Sequence, residues 1–163
     1  MLFLKNVIYV IILPGTVSVL VPHFLLARNH TGIPPFWGAP QYLALLLALF
    51  GIAIVGRCIW DFATVGHGTP GPPDPPKALV ILGLYQYVRN PLYLGLLSLL
   101  MGETIFFSSL SLLRYMAGYW IFVHLMVVWY EEPCLLRKFG QSYERYCQTV
   151  NRWIPGRKQA AFL

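Results

Sequence analysis

The sequence predicts an all-α, polytopic integral membrane protein with about four transmembrane helices and a C-terminal amphipathic helix at the membrane surface. Three observations lead there. Of the 163 residues, 57% are hydrophobic and only 11% charged, with a mean hydropathy of +0.60, whereas average globular chains carry about 25% charged residues. A chain this short cannot hide so much apolar surface from water, so part of its solvent is lipid. Secondly, apolar runs recur at lengths suited to crossing a hydrocarbon core. Thirdly, the pattern turns amphipathic from Glu131 onward. The length fits a single membrane domain over 1–163, with two N-terminal spans in 1–62, a core in 63–155 and a tail in 156–163.

The first span is expected over Val7 to Leu26, with Pro14 and Pro22 as kinks. The same stretch resembles a secretory leader, but its apolar run exceeds the roughly 7–15 residues of such a leader and lacks a small-residue cleavage site. It is read as a retained span. Tyr42 to Trp60 forms the second, with Arg57 and Asp61 spaced to pair across one helical turn near its end. Seven prolines and glycines between Gly68 and Pro76 then exclude a continuous helix or strand and mark a stiff loop.

Pro91 to Phe107 and Leu110 to Tyr130 are the third and fourth spans, a tight antiparallel hairpin around Ser108 to Ser111. The third is short and carries Glu103, so its far end stops within the bilayer or tilts. Beyond it Leu135, Leu136, Phe139, Tyr143, Tyr146, Cys147 and Val150 recur at helical spacing between charged and amide residues. That pattern predicts one amphipathic helix, mildly interrupted by Gly140 and lying on the membrane.

Charge sets the expected topology. The tail from Glu131 carries six lysines and arginines, and the 63–90 loop adds Lys77 and Arg89. Both face the cytoplasm, as do both termini, in an inner or cytoplasmic membrane. Anionic membrane lipids account for the net charge of +6 without nucleic acid. Cys58, Cys134 and Cys147 lack the spacing of a zinc site or a disulfide framework.

Two features at the cytoplasmic face carry chemistry. In YVRNPLY, residues 87–93, Arg89 and Asn90 precede Pro91 where the loop returns to the bilayer. Proline is at home in a first helical turn, and that turn presents backbone N–H groups and a positive dipole end. An anionic group is held well there; an arginine reaching for lipid headgroups is the simpler alternative. Glu131 and Glu132 end the fourth span, where the helix dipole and their mutual repulsion oppose two carboxylates. Something cationic must compensate. A ligand with an ammonium, a sulfonium and a carboxylate would use both features.

The run PPKALVILGLYQYVRNPLYLG, followed about forty residues later by EEPCLLRKFGQSYERYCQTVNRWIP, resembles the isoprenylcysteine carboxyl methyltransferase and phospholipid methyltransferase superfamily of integral membrane enzymes. The resemblance spans roughly residues 66 to 155. It implies S-adenosylmethionine as methyl donor, making 63–155 the cofactor-binding core. The donor contacts it implies are Lys77, Ala78, Leu79, Val80, Tyr85, Asn90, Pro91, Leu92, Tyr93 and Glu131, with Glu131 meeting the methionyl ammonium. Arg89 and Asn90 are the candidate catalytic residues. No metal ligand is implied. The glycines of Gly66 to Gly68 also resemble a G-x-G used by phospholipid methyltransferases.

Asn90 stands where the prenylcysteine enzymes have histidine, and Val127 where they have a substrate-linked arginine, so the acceptor is a lipid or lipid-like molecule of unspecified headgroup. His124 is expected to be a neutral imidazole bonded to backbone, His67 a loop residue near the site, and Trp129, Tyr130 and Trp153 interfacial anchors. Methyl transfer is an in-line displacement that needs alignment and exclusion of water. A carboxylate acceptor needs no general base, while an amine must first lose a proton. Two alternatives remain at this point: a nicotinamide-dependent reductase on a related scaffold, and a non-catalytic membrane subunit or carrier.

Overall fold

The computed structural model describes residues 14–66 and 79–156, in which every regular element is helical. Lys77, Ala78, His67, the Gly66–Gly68 motif as a whole and the start of the first expected span lie outside the described residues. Helix α1 covers Thr16–Arg28, α2 Ala39–Asp61 and α3 Pro91–Phe106. Helix α4 runs over Leu110–Met126, α5 over Glu132–Phe139 and α6 over Gln141–Thr149. A short 3-10 turn, Gly83–Gln86, precedes α3.

Two helical runs are long and apolar enough to cross a bilayer, Ala39–Thr64 and Leu110–Phe139. Only 17% of each one's apolar window is buried inside the protein. The rest of that surface, with Leu46, Leu49 and Phe50 on α2 and Ile121 and Phe122 on α4 exposed, is suited to lipid rather than water. Thr16–Arg28 and Pro91–Phe106 are apolar but shorter.

Small residues bring α2 and α3 together along much of their length. A Cβ on Gly51 would lie 2.5 Å from the Gly95 carbonyl oxygen, and one on Gly102 2.6 Å from that of Ala44. Such side-chain-free approach is how helices associate where lipid removes the hydrophobic drive. Ser98 Oγ adds a hydrogen bond to the Leu47 carbonyl at 2.9 Å. Helix α1 is tied to α4 by Tyr115 Oη donating to the Val17 carbonyl at 3.0 Å and Asn29 Nδ2 to Ser111 Oγ at 3.0 Å. Ser109 caps α4 by accepting from the Leu112 N–H.

The fourth span does not end at Tyr130. A π-turn, Val127–Glu131, carries α4 straight into α5. In it the Glu132 N–H bonds the carbonyl of Val127, five residues back, and the next residue is Pro133. Thr16–Leu20 is built the same way: the Val21 N–H bonds the Thr16 carbonyl, and Pro22 follows. Proline has no N–H and its ring collides with the carbonyl four residues before it, so the turn ahead widens.

The amphipathic segment is two helices rather than one. Gly140, at φ +51°, breaks it between α5 and α6, a conformation that glycine adopts without penalty. Its apolar residues Tyr143, Tyr146 and Val150 are buried together, with Leu79, Ile81, Leu135 and Phe139 packed against them. Much of the apolar face therefore covers the protein's own 79–88 loop.

Candidate functional site

Beneath that cover lies a cavity of about 270 Å³, where the 79–90 loop, the start of α3, the π-turn and α5–α6 converge. Of the residues expected to hold the donor, Leu79, Val80, Tyr85, Asn90, Leu92, Tyr93 and Glu131 line it, together with Arg89. Pro91 begins α3 and is buried there without reaching the cavity. Two motifs some forty residues apart thus share one wall.

Tyr93 Oη donates to Glu131 Oε1, one turn into α3 meeting the π-turn. Glu132 faces the same cavity but is held by cations. Arg152 grips it in a two-pronged bond, Nε to Oε1 at 2.6 Å and Nη2 to Oε2 at 2.8 Å, and Arg89 Nη1 approaches Oε1 at 3.1 Å. The planar guanidinium fork suits a carboxylate in this way. The acidic pair is therefore divided: Glu132 is neutralised by arginines, and Glu131 is held by a neutral phenol.

Arg89 does not reach for headgroups. Its side chain is only 11% exposed, Nη1 also donates to Cys147 Sγ at 2.6 Å, and its Nε is buried without an acceptor among the described residues. Asn90 leaves the first turn of α3 without a side-chain cap and donates instead to the Arg152 carbonyl at 3.2 Å. Residues 151–156 strap this loop down: the Arg89 N–H bonds the Asn151 carbonyl and the Gly156 N–H the Tyr87 carbonyl, each at 2.9 Å.

Val127 lines the wall too, and Phe62, Tyr130, Cys134, Leu135, Tyr143 and Tyr146 complete it; sequence reasoning gives none of these six a place in the site. Tyr130, expected as an interfacial anchor, lines the cavity, while Trp129 is 73% exposed. Tyr143 and Tyr146 were legible only as the apolar side of an amphipathic helix. Tyr146 Oη donates to the Tyr85 carbonyl at 2.7 Å, and the Phe62 ring meets Tyr85 edge-on at 5.4 Å. Burial raises the phenols of Tyr143, Tyr146 and Tyr85 well above the usual tyrosine range. They stay protonated at neutral pH and are not phenolate bases.

His124 stands apart from the cavity. Its Nδ1 accepts from the Trp153 indole at 3.1 Å, so its partner is a side chain where a backbone group was expected. Trp153, half-buried, also packs edge-on against Trp120, with ring centroids 4.6 Å apart. Among the described residues, no group of three His, Cys, Asp or Glu side chains could hold a metal ion.

Among the described residues the fold is all-α, with two helices long and apolar enough to cross a membrane and, at their ends, a cavity furnished with a carboxylate pair and an arginine. Residues 41–142 match the phospholipid methyltransferase family, and the chain belongs to that family. No curated protein matches the chain.

Proposed function

We propose that the protein is an S-adenosylmethionine-dependent methyltransferase that acts on a lipid or lipid-like acceptor, carboxylate or amine. The observation that carries this reading is the division of the cavity's charges. Among the described residues Glu131 is the carboxylate not taken up by an arginine, which suits the donor's ammonium, and Arg89 keeps one buried N–H for a carboxylate. The first turn of α3 adds N–H groups that lack intrahelical acceptors, Leu92 among them. The cavity's volume is close to the roughly 300–1,000 Å³ of ligand pockets. When bound, the donor supplies an electrophilic methyl group on a sulfonium.

The protein's part is to align and to exclude water. Phe62, Leu79, Val80, Leu92, Val127 and Leu135 give the cavity apolar walls, suited to the greasy part of an acceptor. Tyr143 and Tyr146, as protonated phenols, do not serve as bases. In this reading Thr16–Arg28 and Pro91–Phe106 also cross or enter the bilayer, with both termini cytoplasmic and α5–α6 at the interface.

Calorimetric titration of the detergent-purified protein with S-adenosylmethionine tests the donor, and absence of binding by folded protein refutes the reading. Transfer of a labelled methyl group to vesicles containing either an amine-headgroup lipid or a carboxyl-bearing lipid then names the acceptor class. Thiol-accessibility labelling that placed the 63–90 loop and the tail on opposite faces would sink the topology.

A further inference from the structure

We infer that Pro133 is a positioning residue: through the widened turn ahead of it, it directs Glu131 and Glu132 toward the cavity together. The inference rests on the proposed function for what the carboxylates hold, but its geometry stands independently. A π-turn is in effect one residue inserted into an α-helix. It shifts everything beyond it by about 100° relative to the helix before it.

The two sides of this turn are anchored to different partners. Upstream, Val123 and Val127 are buried with Tyr93. Downstream, Leu135 and Phe139 pack on the Tyr143, Tyr146 and Val150 cluster. Between them, Glu131 accepts from Tyr93 on α3 and Glu132 is gripped by Arg152 beyond α6. A regular α-helix through Val127–Glu131 would put one anchor, and with it one carboxylate, out of register. The extra residue lets both be met.

Proline is the cause that the chain itself supplies. In two of the three π-turns among the described residues the bond spanning five residues is donated by the residue directly before a proline, Val21 before Pro22 and Glu132 before Pro133, whereas Phe62–Gly66 is followed by His67 and Gly68. Pro133 offers no N–H to the Trp129 carbonyl and crowds it. Alanine would restore that bond and carries a better helix propensity, so its local effect on the helix is favourable while its effect on the site is adverse.

The test compares wild type, Pro133→Ala and Pro22→Ala as full-length protein in detergent, with two readouts. One is S-adenosylmethionine affinity. The other is the coupling between Glu132 and Arg152, from a double-mutant cycle of melting temperatures with Glu132→Gln and Arg152→Gln. The expected result is an affinity about tenfold weaker and a reduced coupling in Pro133→Ala, with Pro22→Ala binding normally. Pro133→Ser repeats the test if the alanine variant does not fold. Unchanged affinity and coupling overturn the inference, as does a loss that Pro22→Ala reproduces. If wild type does not bind the donor but the coupling still falls in Pro133→Ala, the proposed function fails while the positioning role stands.

Discussion

Glu131 and Glu132 are adjacent and chemically identical, yet their surroundings give them different work. Glu131 has a phenol from Tyr93, whereas Glu132 has the Arg152 fork and Arg89. In the proposed function Glu131→Gln removes a charge-assisted hydrogen bond to the donor's ammonium, worth about 1.5–3 kcal/mol. Donor binding is expected to weaken roughly tenfold to a hundredfold with little change in melting temperature. Glu132→Gln leaves two arginines short of their anion and is expected mainly to lower the melting temperature. Calorimetric titration and thermal unfolding of both variants, compared at equal folded fraction, check the division; equal donor affinities refute it. Arg89→Lys keeps the charge but cannot reach Glu132, Cys147 and the cavity together as a planar group does. Its donor affinity is expected to fall while the protein still inserts and folds, and an unchanged affinity would leave Arg89 a structural role alone.

At the scale of elements, the pairing of α2 with α3 sets where the site begins, because α3 starts at the cavity and has its small residues further along. Gly102 faces the backbone of Ala44 and Ala48, and a side chain there must push the helices apart. Gly102→Val is expected to cost about 1–3 kcal/mol by overpacking, read as a lower melting temperature in detergent. Gly118 on α4 meets nothing within 4 Å, so Gly118→Val serves as the control and is expected to leave stability nearly unchanged. The turn before α3 has a similar constraint. Gly83 sits at φ +58°, where a Cβ would lie 2.2 Å from Asp61 Oδ2, while Arg57 pairs with that carboxylate from one turn back at 3.1 Å, as the spacing of the two residues predicted.

For the molecule as a whole, stability depends on tyrosines that the fold keeps protonated. Burial raises the folded-state pKa of Tyr143, Tyr146 and Tyr85, whereas unfolded tyrosine ionises near about 10. Below that value both states hold the proton and stability does not respond. Above it the unfolded chain loses protons that the folded one keeps, so the stability of the fold falls as pH rises. Melting temperatures are expected to be flat from neutral pH to about 9 and to drop beyond about 10, and the drop should be shallower in Tyr143→Phe. An equally steep decline in that variant would place the alkaline transition elsewhere.

The sequence by itself determined the helical class, the existence and bounds of α2, α3 and α4 to within a few residues, and the Arg57–Asp61 pair. Each is written locally, in a run of apolar residues, a proline at a first turn or a four-residue spacing. It also marked many of the cavity-lining residues, through two motifs that resemble a known family. Only the tertiary structure decided which carboxylate stays open to the cavity, because Arg152 lies twenty residues beyond Glu132 and no spacing rule joins them. The same holds for Tyr143 and Tyr146, whose amphipathic pattern reads equally well as a face for lipid or a face for the protein. What they cover is settled by where Gly140 turns the chain. The π-turn lay between these extremes: Pro133 was visible in the sequence, but its effect on register shows only when both ends of the helix are packed against their partners.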